Sequence, residues 1–298
     1  MADRTPLQRK LIRWFAHPPQ AVGAWFLYGL LAIIPLDRAS ALGSWLLSAI
    51  GPRMKADRIA RRNLQRVFPD KTPGEYDRIM DGVWRNLGCM LGEWPHLAEM
   101  DPAGRIEVVG GEILGELRDK GGPAILIAGH FGSWEAAGHT LNRLGKPLTV
   151  IYRPAQNRWV NKLVLWARRD YNATPLAKGR EAAVGAMETL KRGDWIGVLF
   201  DQKLNEGVPV PFFGRDAMTS PLPARLALAF RCPLVPTRTE RLDGSRFRLT
   251  IYPPMELPQT GDRNRDLDIL MRQMNEMLEG WVREQPDQWF WVHKRWPE

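Results

Sequence analysis

The spacing of apolar and polar residues divides the chain into regions of different texture. Residues 1–20 carry Arg4, Arg9, Lys10 and Arg13, after which Ala21 to Leu36 is uncharged and a second apolar stretch runs from Ala39 to Ile50. At about 1.5 Å per residue, a helix over 21–36 is roughly 24 Å long, short of the roughly 30 Å hydrocarbon core of a bilayer. Three readings stay open: a hairpin that dips into one leaflet, a pair of buried core helices, or a secretory leader. The last lacks a small-x-small cleavage site after the first run. Basic residues ahead of the run favour a cytoplasmic N-terminus.

The segment MKADRIARRNLQRVF, residues 54–68, sets Arg58, Arg61, Arg62 and Arg66 on overlapping helical faces, with Ile59, Leu64, Val67 and Phe68 supplying apolar ones. It predicts a basic amphipathic helix, its polar face either simply solvated or in contact with acidic groups. Pro69 and Pro73 end it, and a further helix is expected from Gly74 to His96. Beyond Asp101 short apolar runs alternate with helical segments: AILIAG at 124–129, PLTVIY at 147–152, WIGVLF at 195–200, PLVPT at 233–237 and FRLTIY at 247–252. Helices are expected between them, near 134–145, 156–170, 180–192 and 220–230. Strands alternating with helices predict an α/β sheet.

Composition narrows the choice. With 298 residues, 44% of them hydrophobic, the chain can bury a sizeable core, which excludes disorder as its main state. A net charge of +9 calls for an anionic partner, whether lipid, nucleic acid or acidic protein. Thirteen tryptophans, among them Trp14, Trp25, Trp45, Trp84 and Trp94 in the first third, suit a membrane interface or a packed core. Cys89 and Cys232 sit in no C-x-x-C and read as small buried hydrophobes.

Candidate chemistry gathers at the ends of the expected strands. The run Ala-Gly-His130-Phe-Gly-Ser-Trp-Glu135 follows AILIAG directly, at the strand end where open α/β sheets carry their sites. A histidine can deprotonate a hydroxyl when a carboxylate manages its tautomer and charge, and Glu135 lies five residues on. Alone, the H-x-x-x-x-E spacing fits a structural histidine equally well. Ser133 lacks the G-x-S-x-G frame of a hydrolase nucleophile, and His139 is poorly spaced from His130 for zinc. Tyr152-Arg153-Pro154 ends the next strand and offers an arginine for a phosphate or oxyanion, or a plain surface charge. Arg180, in Lys178-Gly179-Arg180, is a second phosphate candidate. Asp201-Gln202 ends a third strand, followed by Val210-Pro211-Phe212-Phe213-Gly214 and Thr219. The Phe212-Phe213-Gly214 turn is expected either to wall an acyl groove or to pack on the core.

Together these blocks resemble the lipid A biosynthesis late acyltransferases, the lauroyl and myristoyl transferases of the lysophospholipid acyltransferase superfamily. Ala60-Arg61-Arg62-Asn63-Leu64 with Phe68-Pro69 and the terminal Gln288-Trp289-Phe290-Trp291-Val292-His293-Lys294-Arg295 extend the likeness over nearly the whole chain. The resemblance implies a mixed, mostly parallel α/β sheet flanked by helices, glycerolipid acyltransferase-like, with an N-terminal helical membrane anchor. It implies an anchoring segment over 1–53 and an acyltransferase domain over 54–298, at the cytoplasmic side of the cell inner membrane. It makes His130 the general base and Glu135 its orienting partner, Arg153 the stabiliser of the phosphorylated acceptor or the oxyanion, and Asp201 a pocket organiser. The implied donor is acyl-acyl carrier protein, the acceptor a hydroxyl on a lipid A precursor, and no metal or cofactor is expected. The chain departs from the family pattern in carrying Lys294 before Arg295 where two arginines are common, and in its short first apolar run.

Two other readings stand beside this one. An acyl-CoA-dependent transferase acting on another glycolipid or phospholipid would use the same dyad. A non-catalytic basic protein binding membrane or nucleic acid would need no such residues at successive strand tips, and no nucleic-acid motif is present.

Overall fold

The computed structural model describes residues 12–169, 173–177 and 179–296. The five apolar runs all become strands of one seven-stranded sheet in the order β1-β9-β8-β2-β5-β3-β4. These are β1 (Ile106–Val109), β2 (Ala124–Ala128), β3 (Leu148–Tyr152), β4 (Thr174–Ala177), β5 (Trp195–Leu199), β8 (Leu234–Asp243) and β9 (Arg246–Ile251). All neighbours run parallel except β8 and β9. The central strands are buried on both sides, which is why they read as continuous apolar runs rather than alternating ones. Ile125, Ile127, Ile196 and Leu234 join one hydrophobic cluster, while Leu126, Leu148, Trp195 and Val235 join another.

The first helices are α1 (His17–Ala32), α2 (Leu36–Ile50), α3 (Lys55–Val67) and α4 (Pro73–Glu93). Thr72 and Glu75 close a capping box that starts α4, the Thr72 amide donating to Glu75 at 2.8 Å. Later come α5 (Gly111–Lys120), α6 (Gly138–Leu144), α7 (Arg158–Ala167), α8 (Arg180–Lys191), α9 (Leu222–Phe230) and the long α10 (Arg263–Glu284). The basic helix expected over 54–68 is α3, and the helices between strands sit close to their expected places. One starts late: the segment expected to be helical from 134 is a series of turns until Gly138.

Several elements escaped the sequence reading. β1 and β4 are four-residue edge strands with too little length to show a period. The separate ribbon β6 (Val208–Phe212) with β7 (Arg215–Thr219) contains Pro209 and Pro211, which a two-stranded ribbon accommodates because each strand has a free edge.

The N-terminal helices are tied to the rest of the chain. α2 lies along α4 at backbone distance, through glycines: a Cβ on Gly43 would strike the Gly88 carbonyl, and one on Gly92 the Ala39 carbonyl. Ser40 donates to Glu93 at 2.8 Å across the same contact. Among the described helices none is long and apolar enough to cross a membrane. α1 nevertheless exposes Val22, Phe26 and Leu30, spaced along one face and continued by Ile33 just beyond its end, and α2 exposes Trp45.

Replacing Gly88 with Val forces α2 and α4 apart, so the melting temperature of the purified protein is expected to fall by the equivalent of roughly 1–3 kcal/mol of overpacking. Gly74→Ala, at an open position of the same helix, is the control expected to leave it unchanged.

Candidate active site

His130 leaves the end of β2 on a loop that the C-terminal segment straps down. Phe131 and Trp289 form an antiparallel bridge, the Phe290 amide donates to the His130 carbonyl at 3.0 Å, and the Gly132 amide donates to the Gln288 carbonyl at 2.9 Å. Gly132 has φ +56° and lies where a Cβ would strike the Thr239 carbonyl, so the turn requires glycine on both counts. From the other side Asn86 on α4 donates to the Gly132 carbonyl at 3.0 Å.

A wholly buried carboxylate organises the loop. Asp201, just beyond β5, accepts the His130 backbone amide at 2.8 Å, His130 Nδ1 at 2.6 Å and Trp289 Nε1 at 2.8 Å. Complete burial works to raise its pKa, but the adjoining His130 ring with its hydrogen bonds, and His293 nearby, outweigh it and hold Asp201 well below the usual carboxylate range. Gln202 places its amide nitrogen 3.1 Å from His130 Nε2. The ring sits between Trp134 and Phe290, with centroids 4.9 and 5.6 Å away. Both ring nitrogens therefore have fixed partners.

The expected pairing of His130 with Glu135 is not the one the structure draws. Neither ring nitrogen bonds Glu135; its carboxylate takes the Arg168 guanidinium from the end of α7, Nε at 3.0 Å and Nη2 in still closer contact. The reason is local. Residues 132–135 form turns instead of the first turn of a helix, so Glu135 does not reach back over the ring. Between the two, Ser133 donates to Glu93 at 3.3 Å, and Glu93 in turn holds Arg241, with Nη2 at 2.8 Å.

Beside Trp134 and Glu135 opens a largely apolar cavity of about 290 Å³. Leu126 and Ala128 of β2, Leu148, Val150 and Tyr152 of β3, Gly197 and Leu199 of β5, and Thr237 and Thr239 of β8 line it. These residues fall at alternate positions and so share one face of the sheet. Leu141 covers it from α6, Leu165 and Arg168 from α7.

The other candidates fall at different distances from this centre. Arg153 is exposed just beyond β3, on the same sheet edge as His130 and Asp201. Arg180 opens α8, but its side chain lies outside the described residues. The Phe212-Phe213-Gly214 turn does not line the cavity, because its rings are claimed elsewhere. Phe212 packs against Trp289 and stacks on Trp296 at 5.5 Å, and Phe213 meets Phe68 at 6.1 Å. It supports Trp289 and thereby Asp201. Arg168, Trp134 and Trp289 are the site's neighbours that the sequence reading did not assign. Only the tryptophan-rich ending gave a signal for one of them.

His293 and Arg295 complete the support. Burial pushes the His293 imidazole down to about 4, although Asp201 and its bond to the Phe290 carbonyl act against this. Arg295, fully buried, donates to Thr219 at 2.8 Å and lies over the Phe212 ring.

A family profile described as bacterial lipid A biosynthesis acyltransferase matches residues 7–298. The lipid A biosynthesis palmitoleoyltransferase of Escherichia coli K12 is 27% identical over 300 residues, covering 97% of this chain and 95% of that protein. The lauroyltransferase of the same organism is 27% identical over 248 residues, with 80% and 78% coverage. Its myristoyltransferase is 25% identical over 292, with 94% and 88%. Among solved structures, the 1-acyl-sn-glycerophosphate acyltransferase PlsC of Thermotoga maritima superposes with a TM-score of 0.39 at 14% identity, covering 84% of this chain and 96% of that one.

His293 binds a proton more readily in the unfolded chain than in the folded one, so stability is lost as pH falls from its ordinary 6.5 toward about 4. Asp201, depressed when folded, adds its loss only as pH falls through and below the ordinary carboxylate value of 3.8. Chemical denaturation between about pH 7 and pH 5 is expected to show a decline on the order of 1–3 kcal/mol, and His293→Gln is expected to flatten that slope.

Proposed function

The chain belongs to the bacterial lipid A biosynthesis acyltransferase family, and from that premise we propose that it moves a fatty acyl chain of lauroyl or myristoyl type from acyl-acyl carrier protein to a hydroxyl of a lipid A precursor. One observation carries this reading. His130 stands at a strand end with Nδ1 on the buried Asp201 carboxylate, its ring against Trp134, which lines a largely apolar cavity.

In the proposed reaction, Nδ1–H donates to Asp201 and leaves the Nε2 lone pair for the acceptor. The acceptor hydroxyl takes the place beside Nε2 now held by the Gln202 amide. As its oxygen attacks the thioester carbonyl, its proton passes to Nε2. When the tetrahedral intermediate collapses, the C–S bond breaks and the imidazolium returns the proton to the departing thiolate. The products are an ester and a free thiol, with no covalent acyl-enzyme. Glu135 keeps the task of fixing Arg168 at the cavity wall, where the guanidinium can meet the developing oxyanion. Arg153, exposed at the tip of β3, suits a phosphate of the acceptor.

Membrane contact is assigned to α1 and α2. Val22, Phe26 and Ile33 are 70%, 72% and 80% exposed, and Trp45 is 67% exposed, a cost in water that one bilayer leaflet would remove. The basic residues preceding α1 fit the cytoplasmic face of the inner membrane.

The test is an in vitro assay of the full chain in detergent with acyl-carrier-protein and acyl-CoA thioesters against lipid A precursors, read by mass spectrometry. His130→Ala is expected to lower turnover by about 10²–10⁴-fold, and undiminished turnover by the folded variant would sink the reading. Asp201→Asn combined with His130→Ala is expected to be no worse than His130→Ala alone, because Asp201 acts through that ring. Full additivity would remove Asp201 from the role. Separately, Phe26→Ser with Trp45→Ser is expected to weaken binding to anionic vesicles; unchanged partition would exclude α1 and α2 as the membrane face.

A further inference from the structure

Gly197 is a glycine without a backbone reason. It sits in the middle of β5, paired with Leu126 on one side and Val150 on the other. Its φ is not positive, and a Cβ there would find only ordinary contacts, with Leu148 at 3.5 Å and Val150 at 3.7 Å. Glycine inside a strand costs roughly 0.5–1 kcal/mol relative to alanine. What the sheet obtains in return is space, because the missing side chain opens on the apolar cavity.

The neighbours along β5 set limits on that space. Leu199, two positions toward the site, lines the cavity. Trp195, two positions away from the site, faces the same way, is fully buried, and is anchored by Nε1 on the Gly122 carbonyl at 3.2 Å. Its ring also fills the space under Gly145, where a Cβ would strike it. The cavity thus runs from Trp134 beside His130, past Leu199 to Gly197, and the next β5 residue on this face is the fully buried Trp195, paired with Leu148 at the cavity's inner wall. Leu126, the partner of Gly197, lies four residues before His130, which at about 3.3 Å per residue is a depth of roughly 13 Å.

We propose that Gly197 sets the length of the acyl chain this enzyme transfers. With the thioester carbonyl at His130, the tail of the donor chain runs down the sheet face, and its methyl end lies on the bare β5 backbone between Leu126 and Val150. A side chain at 197 shortens the cavity by one rung, and Trp195 forbids a longer chain in the native protein. This rests on reading the cavity as the donor's acyl site.

The experiment uses the full-length protein in detergent, the native acceptor, and acyl thioesters of increasing chain length. Gly197→Val is expected to lower kcat/KM for the preferred chain by roughly 10–200-fold, the range for a methylene that no longer fits, while shorter chains are transferred at least as well as before. Gly197→Ala is expected to fall between. A length profile unchanged in a Gly197→Val protein that melts normally would overturn the proposal. Photolabelling separates this from the underlying reading. A donor with a diazirine at its methyl end is expected to label Leu126 or Val150. Donor labelling there with an unchanged length profile would remove Gly197 alone. No donor labelling of any cavity residue, or labelling only from a probe on the acceptor's chain, would remove the donor-site reading and the proposal with it.

Discussion

Burying a carboxylate with no access to water is tolerated only when both its oxygens are hydrogen-bonded, and Asp201 meets that condition with groups that matter. It accepts the backbone amide and ring of His130 and the indole of Trp289. An ion desolvated this far carries a penalty of several kcal/mol, offset here by three directed bonds and the neighbouring imidazole. The constraint is mutual. Asp201 fixes the tautomer and direction of His130, while the His130 ring and amide, with His293 nearby, keep Asp201 ionised. Because Asp201 follows β5 while its partners come from the loop after β2 and from the C-terminal segment, no one of these segments can shift without exposing or orphaning the charge.

A second buried pair secures the same loop from below. Glu93 at the end of α4 meets Arg241 of β8, with Ser40, Asn86 and Ser133 satisfying what remains. Through Ser40 and the glycine contacts of α2 with α4, the N-terminal helices are coupled to the site. The apolar outer faces of α1 and α2 and the inner geometry of His130 are therefore parts of one rigid arrangement. Catalysis benefits from such rigidity, since productive geometry tolerates little displacement.

The sheet contributes in a different way. Parallel strands bring their C-terminal ends to one edge, so His130, Arg153 and Asp201 converge although they are far apart in sequence. The same strands alternate their side chains, so one face can pack densely while the other is cut back at Ala128 and Gly197 to hold a cavity. Position along the strand separates the polar strand tips from the apolar cavity.

Much of this was legible in the sequence, because it depends on local pattern. The five apolar runs had to be buried strands, residues 54–68 had to be an amphipathic helix, and His130, Arg153 and Asp201 had to stand at strand tips. The likeness of these blocks to lipid A acyltransferases rested on those same residues and holds over nearly the full chain. The edge strands β1 and β4 and the proline-bearing ribbon were hidden because their stability comes from neighbours and not from their own residues. What only the tertiary structure decided is partnership. The sequence offered His130 a carboxylate five residues away, on the assumption of a continuous helix. Folding broke that helix into turns, sent Glu135 to Arg168, and brought in Asp201 from seventy-one positions along the chain. Spacing specifies which side chains share a strand or a helix face; which charges meet is settled by the burial of each, and burial is a property of the whole fold.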